Sequence, residues 1–534
     1  MVDLGYLRHE TLLRDAQRLF TEMVKADVLD LNNAFAEFLH LVRCQESRGF
    51  KALCRRISPH LYHLVREDIA KMTEGDVYSA QRLVQLSSYT LRMSLVDIDL
   101  TQQCLSDYLE TEENIDLDAP DRLCRPLNVI VKRWMKSFDP SLIQFQHGPG
   151  GVAGLGRTTL EAKYKNLTYD PLIVYAFGTP WWSLEPIRST CDRISQTIFV
   201  PKSYKTFRTI SMEPPILQYL QQGVWREIDR VVGSSSYLRR HIGFHEQERN
   251  QQLAKKGSFV RDYATIDLSA ASDSVSYALV KKVFKGTKLL RYLMATRSRR
   301  SLLPDGRLIT LKKFAPMGSS LCFPVETIIF AAVCQHVTRG HGVPADFSVY
   351  GDDIIVPSPY AEEVMDVLGE LGFRVNREKS FYRTDCWFRE SCGTEYCNGF
   401  DVTPMRVSRQ YTHHAQLESA TGNIDLANEA YVRGYRTLRQ FFLRKIRSSN
   451  WMPLFGPTSL LGDNYTNYHT KHRWNKDLQR IECKTTCPTP KPYGVPDESI
   501  RLRHWFEATL GRIAVGDGFQ SDVGRVTVLF KRRW

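Results

Sequence analysis

Two short β-like runs, Phe347–Tyr350 and Ile354–Val356, are separated by only Gly351, Asp352 and Asp353. A chain reverses in so few residues only as a tight hairpin, and Gly351 permits the positive φ that such a turn needs. The tip then carries two adjacent carboxylates, which repel each other unless a cation sits between them. Mg²⁺ suits that place, because it takes hard oxygen ligands, usually one or two carboxylates plus phosphate and water. An Asp-rich turn is also an ordinary polar turn, so the hairpin alone leaves both readings open. Tyr263–Asp267 narrows the choice, since it reads as a strand ending on a carboxylate. Asp267 then sits where ligands gather in α/β-type sheets, and it can complete a three-carboxylate site with Asp352 and Asp353.

The surrounding chain sets the context. At 534 residues it can bury a large core, and 72 Lys+Arg against 59 Asp+Glu leave a formal net charge of +13. A soluble chain this basic suits a polyanionic partner. The twelve cysteines are scattered, unlike a secreted disulfide framework, and are expected to be reduced thiols. The start, MVDLGYLRHETLLRD, has no apolar run of the signal-peptide kind. Leu321–Cys334 is the best membrane candidate, but Pro324 and Glu326 break it.

Apolar stripes at Leu12, Ala16, Leu19, Phe20 and Met23, and at Ala34, Phe35, Phe38, Leu39 and Val42, predict packed helices near the start. His147–Arg157 is glycine-rich without a P-loop ending and reads as a flexible loop. From about 196 to 395 strands alternate with helices: Thr197–Val200, Ala264–Asp267, Phe347–Tyr350 and Ile354–Val356 as strands, Val275–Phe284 and Ala361–Leu371 as helices. Leu426–Ile446 reads as helical, Cys487–Pro496 as a proline-rich loop, and Arg525–Phe530 as a strand. The pattern is α+β.

Several stretches taken together resemble the replicase subunits of the small positive-strand RNA bacteriophages, the Qβ-like leviviruses. They are Phe199–Lys202, Glu213-Pro214, Tyr219–Val224, Thr265–Ser274, Pro316–Gly318, Tyr350–Ile355 and Phe388–Gly393, in the family's order and at similar spacing. The resemblance implies an RNA-directed RNA polymerase with the right-hand architecture: an antiparallel palm sheet flanked by helices, with fingers and thumb. The corresponding division places a mainly helical N-terminal region and fingers at 1–195, and fingers with a basic nucleotide-binding strand at 196–260. It places the palm at 261–395, and the thumb and C-terminal region at 396–534.

It also implies nucleotidyl transfer with two Mg²⁺ ions, Mn²⁺ being able to substitute, held by Asp267, Asp352 and Asp353. Tyr350 and Gly351 shape the hairpin. Asp273 matches a residue that senses the incoming ribose hydroxyl; by its position it can equally N-cap the following helix, or do both. Gly318, Ser319 and Ser320 fall where the family opens a long helix beside the nucleotide. Here the glycine precedes its serines and no Asn follows, so hydroxyl sensing and plain serine capping both stay open. Lys202, Lys205 and Arg208 match a basic strand that grips the triphosphate, and a solvated edge strand is the plain alternative. Lys379 matches a lysine near the leaving pyrophosphate, a candidate general acid or a surface lysine.

The implied partners are RNA template and product, ribonucleoside triphosphates, host elongation factors Tu and Ts, and a ribosomal small-subunit RNA-binding protein. The implied setting is the cytoplasm of an infected bacterium, with no membrane. Weaker signals are a zinc arrangement of His469, His472, Cys483 and Cys487, off the usual spacings, a template-facing cluster of Arg297, Arg299 and Arg300, a possible Arg389–Glu390 salt bridge, and base stacking by Trp505, Phe506 or Trp534. Two other functions compete. A reverse transcriptase also carries a Tyr-x-Asp-Asp hairpin, but no aromatic guards the sugar between Asp267 and Asp273. A non-enzymatic RNA-binding protein has no use for three carboxylates at two strand ends.

Overall fold

The computed structural model describes residues 59–72, 74–88, 100–156, 158–168, 170–178, 191–202, 207–342, 346–406, 417–433, 439–440, 442–444, 472–483, 485–490 and 528–533. The stripes at 12–23 and 34–42 lie outside the described residues, as do Lys205, His469, Trp505, Phe506 and Trp534.

The structural centre is the helix Cys322–Gly340, whose sequence is apolar on nearly every face. A helix with that pattern must be surrounded by protein, and it is. Residues Ile328 to Cys334 have no solvent exposure, and they pack within one large core with the helices Asp121–Trp134 and Ala361–Glu370. No helix among the described residues is long and apolar enough to cross a membrane. The breaks at Pro324 and Glu326 fall in the first turn and a half of the helix; both residues are buried.

Against this helix lies a three-stranded antiparallel sheet. Its strands are β3 (Tyr263–Ile266), β8 (Asp353–Pro357) and β7 (Ser348–Tyr350), in the order β3-β8-β7. Central β8 is the apolar run Ile354–Val356, buried throughout, as a strand covered on both faces must be. A mixed four-stranded sheet stands beside it in the order β2-β1-β5-β6. Here β1 (Ile194–Pro201) pairs antiparallel with β2 (Phe207–Met212) and parallel with β5 (Arg300–Leu302), which pairs antiparallel with β6 (Leu308–Thr310). The two-stranded β4 (Leu268–Ser269) and β9 (Arg374–Val375) extend beyond β3, and β10 (Phe388–Ser391), β11 (Thr394–Cys397) and β12 (Phe400–Asp401) form a further antiparallel sheet. Toward the C-terminus, β13 (His472–Asn475) pairs with β14 (Arg480–Cys483), and β15 (Thr485–Pro490) with β16 (Val528–Arg533). The architecture is α+β, with an antiparallel sheet flanked by helices.

Four local expectations change. The glycine-rich loop is anchored rather than flexible: the buried Lys163 amine donates to the carbonyls of Gly148 and Gly150 at 2.7 and 2.6 Å, and Val152 N–H donates to Gly156. A loop nearly devoid of side chains is satisfied from outside by one long cation. The start of the proline-rich stretch is a strand, with Pro488 and Pro490 on β15, which a two-stranded ribbon tolerates because each strand is an edge. The helical stretch expected at Leu426–Ile446 begins earlier, with a helix from Leu417 to Val432, and the described residues 439–440 and 442–444 are helical as expected.

Finally, Arg389 does not pair with Glu390. It is fully buried and donates to four backbone carbonyls, those of Tyr263 (2.6 Å), Phe388 (2.7 Å), Cys386 (2.9 Å) and Arg383 (3.2 Å). One guanidinium thereby ties β10 to the start of β3. Arg389→Met keeps the volume but strands those carbonyls, and should lower stability by about 2–4 kcal/mol, read as a lower urea midpoint. An unchanged midpoint would show that Arg389 does not brace the sheet.

Candidate active site

The register of the central sheet builds the site. In β3 and β8, Ile266 faces Ile354, so the next residues outward, Asp267 and Asp353, flank the same end of the sheet. Tyr350 pairs with Asp353 across the hairpin, leaving Gly351 and Asp352 as its two-residue tip. Gly351 has φ +59°, and a Cβ there would lie 2.6 Å from the Phe323 ring. Glycine is therefore required twice, for the turn and for the close approach to the Cys322–Gly340 helix. Tyr350 packs edge-on against the same ring, 5.1 Å between centroids. Asp352, at the tip, is exposed.

Each flanking carboxylate is held by one of its oxygens. Asp267 Oδ2 accepts from Asn376 Nδ2 at 2.8 Å, and its backbone N–H donates to Ser380 Oγ. Asp353 Oδ1 accepts from the Cys392 N–H at 3.0 Å and from Ser391 Oγ at 3.2 Å. The Cys392 amide reaches it because Cys392 and Gly393 both have positive φ, the tight two-residue turn joining β10 to β11. Asn250, buried on the helix Glu248–Val260, knits the set together: it donates to the Asp353 carbonyl and accepts from Ser348 Oγ.

The electrostatics follow from this crowding. Asp267 is pushed up to about 6, by burial first and then by Asp352, Glu390 and Asp353, with Lys379 opposing. Asp353 also rises to about 6, again by burial first, against the Cys392 hydrogen bond, with Asp352 and Glu390 adding to the rise. Behind them Glu326 accepts from Ser272 Oγ at 2.6 Å and is raised to about 8 by burial, so it is neutral at pH 7. Among the described residues, no three His, Cys, Asp or Glu side chains converge as a ready-made metal cage. Two carboxylates in a negative, oxygen-only setting, beside a third at an exposed tip, still match the ligand habit of Mg²⁺, which draws its remaining ligands from phosphate and water.

The basic residues divide. Lys202 directly follows β1 and lies within electrostatic reach of Asp267, Asp352, Lys379 and Arg208. Although its side chain reaches solvent, partial desolvation and then Lys379 and Arg208 lower its pKa. Arg208 faces Val200 across the β1–β2 pair and is exposed, as is Lys379. Arg297 is withdrawn from any template: it is buried, donating to the carbonyls of Phe314, Leu311 and Lys313, whereas Arg299 and Arg300 are exposed.

Asp273 does not cap the next helix. Ser276 does, accepting from Leu279 N–H at 3.0 Å, while Asp273 is bound to Lys313 at 2.9 Å. Gly318 has φ +119° and packs so closely on β2 that a Cβ would lie 2.3 Å from the Ser211 carbonyl. Ser319 is buried, and Ser320 accepts from Gln222 at 2.8 Å; the helix they precede begins at Cys322, with Leu321 at its N-cap and no side-chain cap. His472 and Cys483 are opposite each other in β13 and β14. Sequence reasoning passed over Asn250, Asn376, Lys313 and Glu326 as site residues; their partners lie tens of residues away, and only the polar types themselves gave a signal.

Comparison with known proteins matches the same region. The family described as "RNA replicase, beta-chain" matches residues 183–424. This segment is similar to replicase beta-chain sequence. The chain is 38% identical over 224 residues to the RNA-directed RNA polymerase subunit beta of Qbeta virus (strain MX1), covering 42% of this chain and 37% of that protein. It is 33% identical over 301 residues to the corresponding subunit of Escherichia virus Qbeta, covering 53% and 48%. It is 38% identical over 268 residues to the RNA-directed RNA polymerase beta chain of Escherichia phage MS2, covering 50% and 47%. The matches thus span less than half the length of these relatives. Among solved structures, the RNA-dependent RNA polymerase of a human picobirnavirus aligns at TM-score 0.43 and 13% identity, over 76% of this chain and 82% of that one. The replicase-matched segment contains every residue of the carboxylate site described above.

The raised carboxyls give a pH signature. Asp267 and Asp353 titrate above their unfolded values, so the fold favours their protonated forms. Their contribution is present in full below about pH 4 and is lost as pH rises through about 6. Metal-free protein should therefore lose more melting temperature between pH 5 and 7.5 than Asp267→Asn does, and Mg²⁺ should restore more of it at pH 7.5 than at pH 5. Equal pH slopes in the two proteins would contradict the crowding.

Proposed function

We propose that this chain is an RNA-directed RNA polymerase that copies a viral RNA genome. The observation that carries the reading is the pairing of β3 with the Tyr350–Asp353 hairpin, which sets Asp267 beside Asp352 and Asp353 in a basic protein whose residues 183–424 match the replicase beta-chain family. In this reading Asp267, Asp352 and Asp353 hold two Mg²⁺ ions, or Mn²⁺ in their place. Bound there, such ions supply charge neutralisation for the attacking 3′-oxygen and the leaving pyrophosphate.

The chain's own residues position the rest. Lys202 and Arg208 meet the triphosphate, a point charge and a planar fork respectively. Lys379, exposed and within electrostatic reach of Asp267, gives a proton to the departing pyrophosphate in this reading. Asp273 accepts from the 2′-hydroxyl of the incoming ribose, so a deoxyribose leaves a partly buried acceptor unmatched. Gly318 brings backbone close to that pocket without a side chain, and Ser319 and Ser320 line its approach. The division into helical N-terminal region and fingers (1–195), nucleotide-binding fingers (196–260), palm (261–395) and thumb (396–534) belongs to the same reading. So do elongation factors Tu and Ts, a ribosomal small-subunit RNA-binding protein, and the cytoplasm of an infected bacterium.

The test is incorporation of labelled ribonucleotides on a defined RNA template with Mg²⁺, with and without the two elongation factors. Wild type should make template-dependent product, and Asp352→Asn should lose at least about 10³-fold while still binding RNA. Equal product from both proteins would refute the site. RNA binding without product from either, with the factors present, would favour a binding protein.

A further inference from the structure

Lys313 is the one lysine among the described residues buried with no solvent exposure beside the proposed nucleotide pocket. Its amine lies 2.9 Å from Asp273 Oδ1, 3.2 Å from Glu112 Oε2 and 3.9 Å from the centre of the Tyr108 ring. Glu112 and Tyr108 come from the helix Thr101–Glu113, some two hundred residues earlier in the chain. Glu112 also fixes the backbone that carries Lys313, its Oε1 accepting from the amides of Lys312 and Lys313. Pairing of Ser276 with Lys313 and donation from Tyr277 N–H to the Lys312 carbonyl hold the same segment against the chain just after Asp273.

We infer that Lys313 is a positioning residue for sugar selection, holding Asp273 in place for a 2′-hydroxyl, with Glu112 holding Lys313 in turn. The inference rests on the polymerase reading above. Its physical basis is the charge count around Asp273. Glu112 is the carboxylate that shares the Lys313 amine with Asp273, and without that cation between them the Asp273 carboxylate would turn away from Glu112. Lys313 engages Oδ1 and leaves the second oxygen to accept from a substrate hydroxyl. A buried ion pair adds little net stability over apolar packing of the same volume. It does fix the direction of a carboxylate that remains 15% exposed on its other side.

The experiment is single-nucleotide incorporation of GTP and of 2′-deoxy-GTP opposite a templated C, on the full chain, with melting curves to verify folding. Lys313→Met should raise KM for GTP about tenfold, with a smaller change in kcat, and leave 2′-deoxy-GTP within about threefold of wild type. It should add nothing further to Asp273→Asn. Glu112→Gln keeps an acceptor for both amides and is the gentler change; it should lower the GTP to 2′-deoxy-GTP ratio in the same direction, by about two- to threefold. Equal losses for both nucleotides, or an unchanged ratio in folded Lys313→Met, would overturn the inference. Should Lys313→Met fail to fold, an unchanged ratio in Glu112→Gln overturns it alone. Wild type that discriminates strongly while the variants do too sinks only this inference; wild type that incorporates nothing sinks the polymerase reading as well.

Discussion

The repulsion between carboxylates gathered at one end of the β3-β8-β7 sheet is the constraint on which the site depends. Antiparallel register leaves no choice: once Ile266 faces Ile354, Asp267 and Asp353 share an edge, and the two-residue hairpin adds Asp352. Burial then raises Asp267 and Asp353 to about 6, a state the fold accepts only because the surroundings hold it. Asn376, Ser391 and the Cys392 amide each fix one edge of a carboxylate, Ser380 holds the Asp267 backbone amide, and Asn250 ties the strands beneath them. Functional sites are where such unfavourable charge is kept, because a ligand relieves it.

Much of the remaining molecule serves to keep that edge rigid. The buried helix Cys322–Gly340 backs the sheet, and its Phe323 accepts the hairpin only because residue 351 is glycine. Arg389 secures the opposite end of β3 through backbone carbonyls. Asp346 collects Arg240, Arg249 and the Tyr263 hydroxyl just before β7. These groups bear no chemistry themselves. They hold the carboxylate edge to a narrow set of positions, as a site that binds by charge placement requires.

What could be read from the sequence was local. The strands at Thr197, Ala264, Phe347 and Ile354, the helix from Ala361 and the hairpin depend on short-range periodicity and one glycine, and the structure has them where the pattern puts them. What could not be read was long-range. Asp273 and Ser276 both have N-cap chemistry, and only the placement of Lys313, forty residues on, decides that Asp273 is an ion-pair partner and Ser276 the cap. Arg297 and Arg389 look like surface cations in sequence; burial among carbonyls converts both into structural donors. The glycine-rich loop gives no sign of Lys163, whose side chain holds it.

The central claim is that Asp267, Asp352 and Asp353 act together as a cation site. Diffraction from crystals soaked in Mn²⁺, a nucleoside triphosphate and a short RNA, recorded at the manganese edge, tests it most directly. The account predicts anomalous peaks against Asp267 and the hairpin carboxylates, lost in Asp267→Asn. Peaks confined to other parts of the molecule, or unchanged in that variant, would contradict it.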